Sequence, residues 1–176
     1  IKGDIVYIYH KFEINNYLPN TIKLTEDKKK IFKNQIIFQN DDFIVINKID
    51  GYSVQRGSNV FISLKDIYEN VIDHKLYIVH RLDKDTSGVM LFAKNRITAS
   101  KISSLFLNNQ IKKFYISVTN NKFNKNTDTL INYNSDKKKL KLAYRKIQLG
   151  NHENCYLIKL FTGKKHQIRL QFYLNK

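Results

Sequence analysis

The run VHRLDKDTSGVMLFAKN, residues 79–95, holds the residue types most able to do chemistry. Arg81 and Asp83 are two positions apart, so in extended chain both side chains leave the same face. Asp85, Thr86 and Ser87 readily hydrogen-bond to nearby backbone, and Gly88 tolerates a positive φ, so a tight turn is expected after Asp83. A carboxylate on a firm turn between two apolar runs is well placed for catalysis or binding. The same two residues also fit a surface ion pair worth ~0–1 kcal/mol, and residue chemistry alone favours that plainer account. A kinase catalytic loop is excluded, because there Asp follows Arg directly and a glycine-rich loop is required.

Three other stretches carry groups that could join Asp83. In LFTGKKHQIRLQFYL, residues 160–174, a helix is expected from about Lys164. On it His166 and Arg169 share a face, with Tyr173 one turn on. Arg169 is ordinarily a solvent-facing helix residue. A phosphate-binding loop at Thr162-Gly163-Lys164 fails, since its first glycine would fall in Tyr156-Leu157-Ile158. IKKFYISV, residues 111–118, alternates as a strand. It sets Ile111, Lys113, Tyr115 and Ser117 on one face and Lys112, Phe114, Ile116 and Val118 on the other. Tyr115 fits either a core aromatic or a stacking surface. Lys48 ends an apolar run before Ile49-Asp50-Gly51 and would usually be a surface residue.

The elements that must position these groups are mostly strands. IIFQ, a turn at Asn40-Asp41-Asp42, and FIVINK predict a hairpin. Ser63, with Asp66 three positions on, predicts a capped helix to about Val71. KLYIV (75–79) and GVMLFAK (88–94) read as the strands entering and leaving the Asp83 turn. Residues 97–107 read as an amphipathic helix ending at Asn108-Asn109. Further strands are expected over 128–134, 140–149 and 154–161. The pattern predicts an α+β domain on an antiparallel or mixed sheet with flanking helices. Residues 1–30 are read as an N-terminal extension with a polar linker at residues 26–30, and 31–176 as the main domain. The chain begins at Ile1 and stops inside an expected helix, so it is read as a fragment, truncated at its C-terminus.

With 31 Lys plus Arg against 15 Asp plus Glu, the chain of 176 residues carries a net charge of +16. That balance points to a polyanionic partner, most simply nucleic acid; a coding bias toward Lys and Asn would give the same excess. The lone Cys155 excludes an internal disulfide and reads as a small buried hydrophobe. His10, His74, His80, His152 and His166 show no ligand spacing, so no metal site is expected. No apolar run approaches the ~20 residues needed to span a bilayer, and no membrane association is expected.

HRLDKDTSG resembles, without gap or substitution, the signature H-R-L-D-x-x-T-S-G of RluA-type pseudouridine synthases. Lys113 and Tyr115 match that family's K-x-Y element. Lys48 and Gly51 match its K-P-x-G turn, with Ile49 in place of Pro. The closing L-x-T-G-R-x-H-Q-I-R motif is matched except at Lys164, where a planar guanidinium gives way to an ammonium. The resemblance implies a pseudouridine synthase fold and isomerisation of uridine in RNA, with neither cofactor nor metal. It implies Asp83 as catalytic residue, attacking ribose or ring or abstracting a sugar proton. It implies a contact of Arg169 with Asp83, possible in bidentate form. Tyr115 would lie beside the target base and Arg81 near the space a flipped nucleotide leaves. Lys113 and His166 would contact substrate, and Lys48 would support the site. IKGDIVYIY resembles the last strand of a small RNA-binding module often placed upstream, and the family's domain continues beyond the closing helix. The expected partner is RNA, ribosomal or transfer, handled by a monomer in an undetermined compartment. An RNA-binding protein that has lost catalysis is the alternative.

Overall fold

The computed structural model describes residues 24–175, apart from 58–59, 121 and 150–151. The expected strand near Ile5–Tyr9 therefore lies outside the described residues. Thr25 caps helix α1 (Glu26–Lys33) by accepting the Lys28 N–H at 3.4 Å. The basic run expected as a linker is thus the wet side of a helix that crosses residue 30. Its buried Phe32 meets Tyr68 edge-on at 5.8 Å, and the Tyr68 hydroxyl donates to the Phe32 carbonyl at 3.2 Å.

Strands β1 (Ile36–Gln39) and β2 (Phe43–Lys48) form the expected hairpin. The Asn40 side-chain oxygen closes its turn by accepting the N–H groups of Asp42 and Phe43 at 3.0 and 2.9 Å. Helix α2 (Leu64–Ile72) has the reciprocal Ser63–Asp66 capping box. The strand expected over 75–79 shrinks to β3 (Tyr77–Ile78), because the chain then leaves the sheet for the Asp83 turn. It returns as β4 (Gly88–Ala93), whose partner along its whole length is β2, from Phe43↔Ala93 to Lys48↔Gly88. The first sheet is antiparallel, in the order β1-β2-β4-β3. Ile44, Ile46, Met90 and Phe92 pack from it against Leu64, Ile67 and Tyr68.

Helix α3 (Arg96–Leu107) is capped by Asn95. None of its residues is fully buried, so it lies against the sheet rather than within a core, a weaker seat than its amphipathic pattern suggested. Strands β5 (Lys113–Val118), β6 (Thr127–Tyr133), β7 (Lys139–Leu149) and β8 (His152–Leu160) form a second antiparallel sheet, ordered β5-β8-β7-β6. Its core is aromatic: Phe123 sits 4.8 Å from Tyr144 and 4.9 Å from Phe172, with Tyr156 beside them. Two antiparallel sheets and flanking helices make this an α+β fold.

Helix α4 (Gln167–Leu174) begins three residues later than expected. His166 precedes it with a left-handed φ of 51°, so it does not share a helical face with Arg169. The helix is held to the sheet by two buried amides. Gln171 donates to the Leu130 carbonyl at 3.1 Å and to the Asn132 side chain at 3.0 Å, and accepts from Gln167 at 2.9 Å. Gln171→Leu keeps the volume but leaves these partners unmet, and should lower stability to denaturant by about 1–3 kcal/mol.

Candidate functional site

The Asp83 loop is anchored from below. Leu82 is buried in the first core, so its neighbours Arg81 and Asp83 both point outward, as the two-residue spacing requires. Beneath the turn the Lys48 side chain is 1% exposed. Its ammonium donates to the carbonyls of Ile49, Lys84 and Thr86 at 3.1, 2.9 and 2.8 Å. All three donor positions are thus used on backbone. Burial lowers the Lys48 pKa, and the carboxylates of Asp50, Asp85 and Asp83 oppose that shift. The Gly51 N–H donates to the Lys84 carbonyl at 2.9 Å and that of Thr86 to Asp83 at 3.1 Å. Gly88 leaves the turn at φ 121°, a conformation costly for a residue with a Cβ.

His80 guides the entry to this loop. Where β3 has left β4, the imidazole Nε2 accepts the Leu91 N–H at 3.0 Å, in place of a strand carbonyl. That contact assigns the ring proton to Nδ1. The ring stacks on Phe106 of α3, centroids 4.3 Å apart. Burial, aided by the charge of Lys113, lowers its pKa to about 4.

Asp83 opens into a cleft of ≈ 760 Å³ lined by the loop after β3, α3, β5 and the end of β8, and the turn and start of α4. Arg169 Nη2 and His166 Nε2 each lie 3.9 Å from its Oδ2. Both are within ion-pairing reach but longer than a hydrogen bond, so the bidentate Arg169 contact suggested by resemblance is not formed. No ion pair joins Arg81 to Asp83 among the described residues, so the plain surface pair is not formed either. Tyr115 lines the cleft from β5; burial raises its phenol pKa, and the negative charge of Asp83 adds to the effect. Lys113, two residues before it, also lines the cleft with its pKa lowered by burial. Arg81 sits exposed on the rim.

The structure thus brings Asp83, Arg81, Tyr115, Arg169, Lys113 and His166 to one cleft, with Lys48 underneath rather than in it. Reading the sequence missed His80 as a support, and missed Gln167. The Gln167 oxygen accepts from the Thr162 hydroxyl at 2.9 Å and the Lys164 N–H at 3.0 Å, and its amide donates to the Lys141 carbonyl at 3.2 Å. These bonds fix the turn that carries His166. Two glutamines four apart on one helix face, 167 and 171, were the available signal.

A carboxylate with a guanidinium and an imidazole each 3.9 Å from one of its oxygens thus opens into a cleft on a chain of net charge +16. The family model for RNA pseudouridylate synthase matches residues 42–173, three quarters of the chain, and the chain belongs to that family. A ribosomal large subunit pseudouridine synthase C from Rickettsia bellii is 31% identical, covering 97% of this chain; the chain spans 64% of that relative's length. An uncharacterized RNA pseudouridine synthase from Mycoplasma capricolum is 30% identical over 91% of this chain and 66% of its own. The solved structure of human RNA pseudouridylate synthase domain containing 4 superposes with a TM-score of 0.61. It is 23% identical and covers 83% of this chain and 66% of its own, and so shows a shared fold.

Lys48→Met should cost about 1–3 kcal/mol of stability by orphaning buried carbonyls, with faster amide exchange confined first to residues 83–88. For His80 the folded pKa of about 4 lies below the ordinary 6.5. Its contribution to stability is therefore full above pH 6.5 and lost as pH falls toward 4. The loss is on the order of 3 kcal/mol, and thermal melts of His80→Gln should show a correspondingly shallower acid slope.

Proposed function

We propose that this chain is an RNA uridine isomerase that uses Asp83 as its catalytic carboxylate. The observation that carries the reading is the convergence of Asp83, Arg169 and Tyr115, from three separate stretches, on one basic cleft. The bond from ribose to the ring nitrogen breaks, the uracil turns, and a carbon–carbon bond forms from the same ribose carbon to the ring. The hydrogen displaced from that ring carbon is lost and the freed nitrogen gains a proton. No atom of the base or sugar is exchanged for an outside group except that proton.

Asp83 is the group beside the reacting bond, as nucleophile or as base. Arg169 stands 3.9 Å from its Oδ2 without occupying it with hydrogen bonds. Tyr115 offers an aromatic face to a uracil drawn from its stack, and Arg81 stands at the rim where the neighbouring nucleotides pass. Lys113 and His166 add cations for the phosphates, the latter when protonated. The catalytic unit takes in helix α1, which packs on the first core and carries the boundary back before residue 31, with an extension before it. We take the catalytic unit to act as a monomer. Ribosomal RNA is the substrate class that the names of the ribosomal synthase relatives favour.

Asp83→Asn should abolish release of tritium from RNA labelled at the uracil carbon that loses its hydrogen, while RNA affinity stays within about twofold. Full tritium release by that variant would remove the carboxylate from the mechanism. Tritium retention by the wild-type chain across ribosomal, transfer and messenger RNA would remove the activity.

A further inference from the structure

Strand β5 has two faces with opposite fates. Lys113, Tyr115 and Ser117 turn inward to the cleft, whereas Phe114, Ile116 and Val118 are each more than half exposed on the alternate face, Ile116 also reaching the cleft margin. This reverses the usual apolar-in rule for a sheet with one wet face. The far side continues across the sheet by register. Phe114 lies opposite Lys159, which lies opposite Ala143; Ile116 lies opposite Leu157, which lies opposite Arg145. Apolar and cationic side chains are therefore interspersed across the strands.

Phe161, just past β8, has the Lys141 ammonium 4.8 Å and the Lys159 ammonium 5.2 Å from its ring centroid. Among the described residues no carboxylate pairs with Lys141, Lys159 or Arg145. Asp128, the acidic residue of β6, shares a face with Tyr144 on the core side and pairs with Lys125. A second copy of this chain would bring like charge against like charge at this face, which disfavours self-association. Aromatic faces set among unpaired cations are what a single-stranded nucleic acid needs: stacking for its bases and charge for its phosphates.

We propose that this far face of the second sheet is a binding platform for single-stranded RNA flanking the modified uridine. Bases stack on Phe114 and Phe161, and phosphates meet Lys141, Lys159 and Arg145. The identity of the partner rests on the RNA reading of the cleft. Continuity supports it, since the strand that presents Tyr115 to the cleft presents Phe114 to the platform. RNA crossing the free edge of β5 passes from one to the other.

The test uses the full chain and an oligouridine of about ten nucleotides carrying 4-thiouridine. Photo-crosslinks should appear on the peptides holding Phe114 and Phe161. Lys141→Gln with Lys159→Gln should weaken binding about tenfold at low salt and reduce the salt slope by about two. Phe114→Ser should weaken binding by a similar factor with the slope unchanged. Tritium release from a minimal hairpin without single-stranded flanks should match wild type in all three substitutions, while a substrate with flanks should show a raised KM. Crosslinks confined to cleft peptides, with unchanged affinity and slope in the variants, would overturn the proposal. So would a concentration-dependent dimer broken by Phe114→Ser, or binding to anionic vesicles without binding to oligouridine. Crosslinks at the platform without tritium release from any RNA would sink the isomerase reading and leave the platform standing.

Discussion

A buried ammonium holds this site together. Lys48 sits under the Asp83 turn with its three hydrogens committed to three carbonyls, two of them in the turn itself. A charged group in such a position is tolerable only because each donor is satisfied and because Asp83 and Asp85 lie near enough to favour its charge. The arrangement acts in both directions. The carbonyls keep the lysine buried, and the lysine forces the turn to curl so that those carbonyls point inward. With its backbone polar groups turned down and Leu82 pinned in the core, the loop can only present Arg81 and Asp83 upward. A turn held merely by its own short hydrogen bonds would leave the carboxylate free to wander.

Around that fixed carboxylate the remaining groups are held more loosely, and the distances say so. Arg169 and His166 stand 3.9 Å from the same oxygen, close enough to shape its field yet short of a hydrogen bond. A carboxylate fully clamped by a guanidinium fork would be a poor nucleophile or base, because its lone pairs would already be engaged. Here Arg169 and His166 come from a helix and turn fastened by Gln167 and Gln171 to the second sheet, while Asp83 sits on the loop that joins β3 and β4 of the first. The two halves of the site thus ride on different sheets, and the cleft is the space between them.

Most of the fold was legible because its strands carry strong local signals. The hairpin at Asn40, the Ser63 capping box and the alternation of β5 each depend on residues close in sequence. What the sequence hid depends on distant partners. The strand before Asp83 looked five residues long, yet the ladder ends at Ile78 because the chain is drawn down toward Leu82 and Lys48. Lys48 looks like any strand-ending lysine until the carbonyls 36 and 38 positions away are folded over it. His166 looked helical because its spacing to Arg169 suits a helix, but a left-handed turn serves better to swing its ring back toward Asp83. His80 carried no signal beyond its place in the motif, since its partners, Leu91 and Phe106, lie on separate elements.

The same contrast bears on charge. A surplus of sixteen positive charges is what a polyanionic partner would need, but it does not say where such a partner would sit. Folding sorts those charges into unequal environments. Lys48 is consumed by structure, and Lys113 is half-withdrawn into the cleft with its charged form disfavoured by burial. A group so desolvated regains favourable surroundings when a phosphate or a carboxylate approaches, so the cleft is poised to bind before it is able to react. In the proposed reading, binding and chemistry would draw on the same few groups: the cations that would receive an RNA backbone also stand around Asp83, and a change to either would be felt by both.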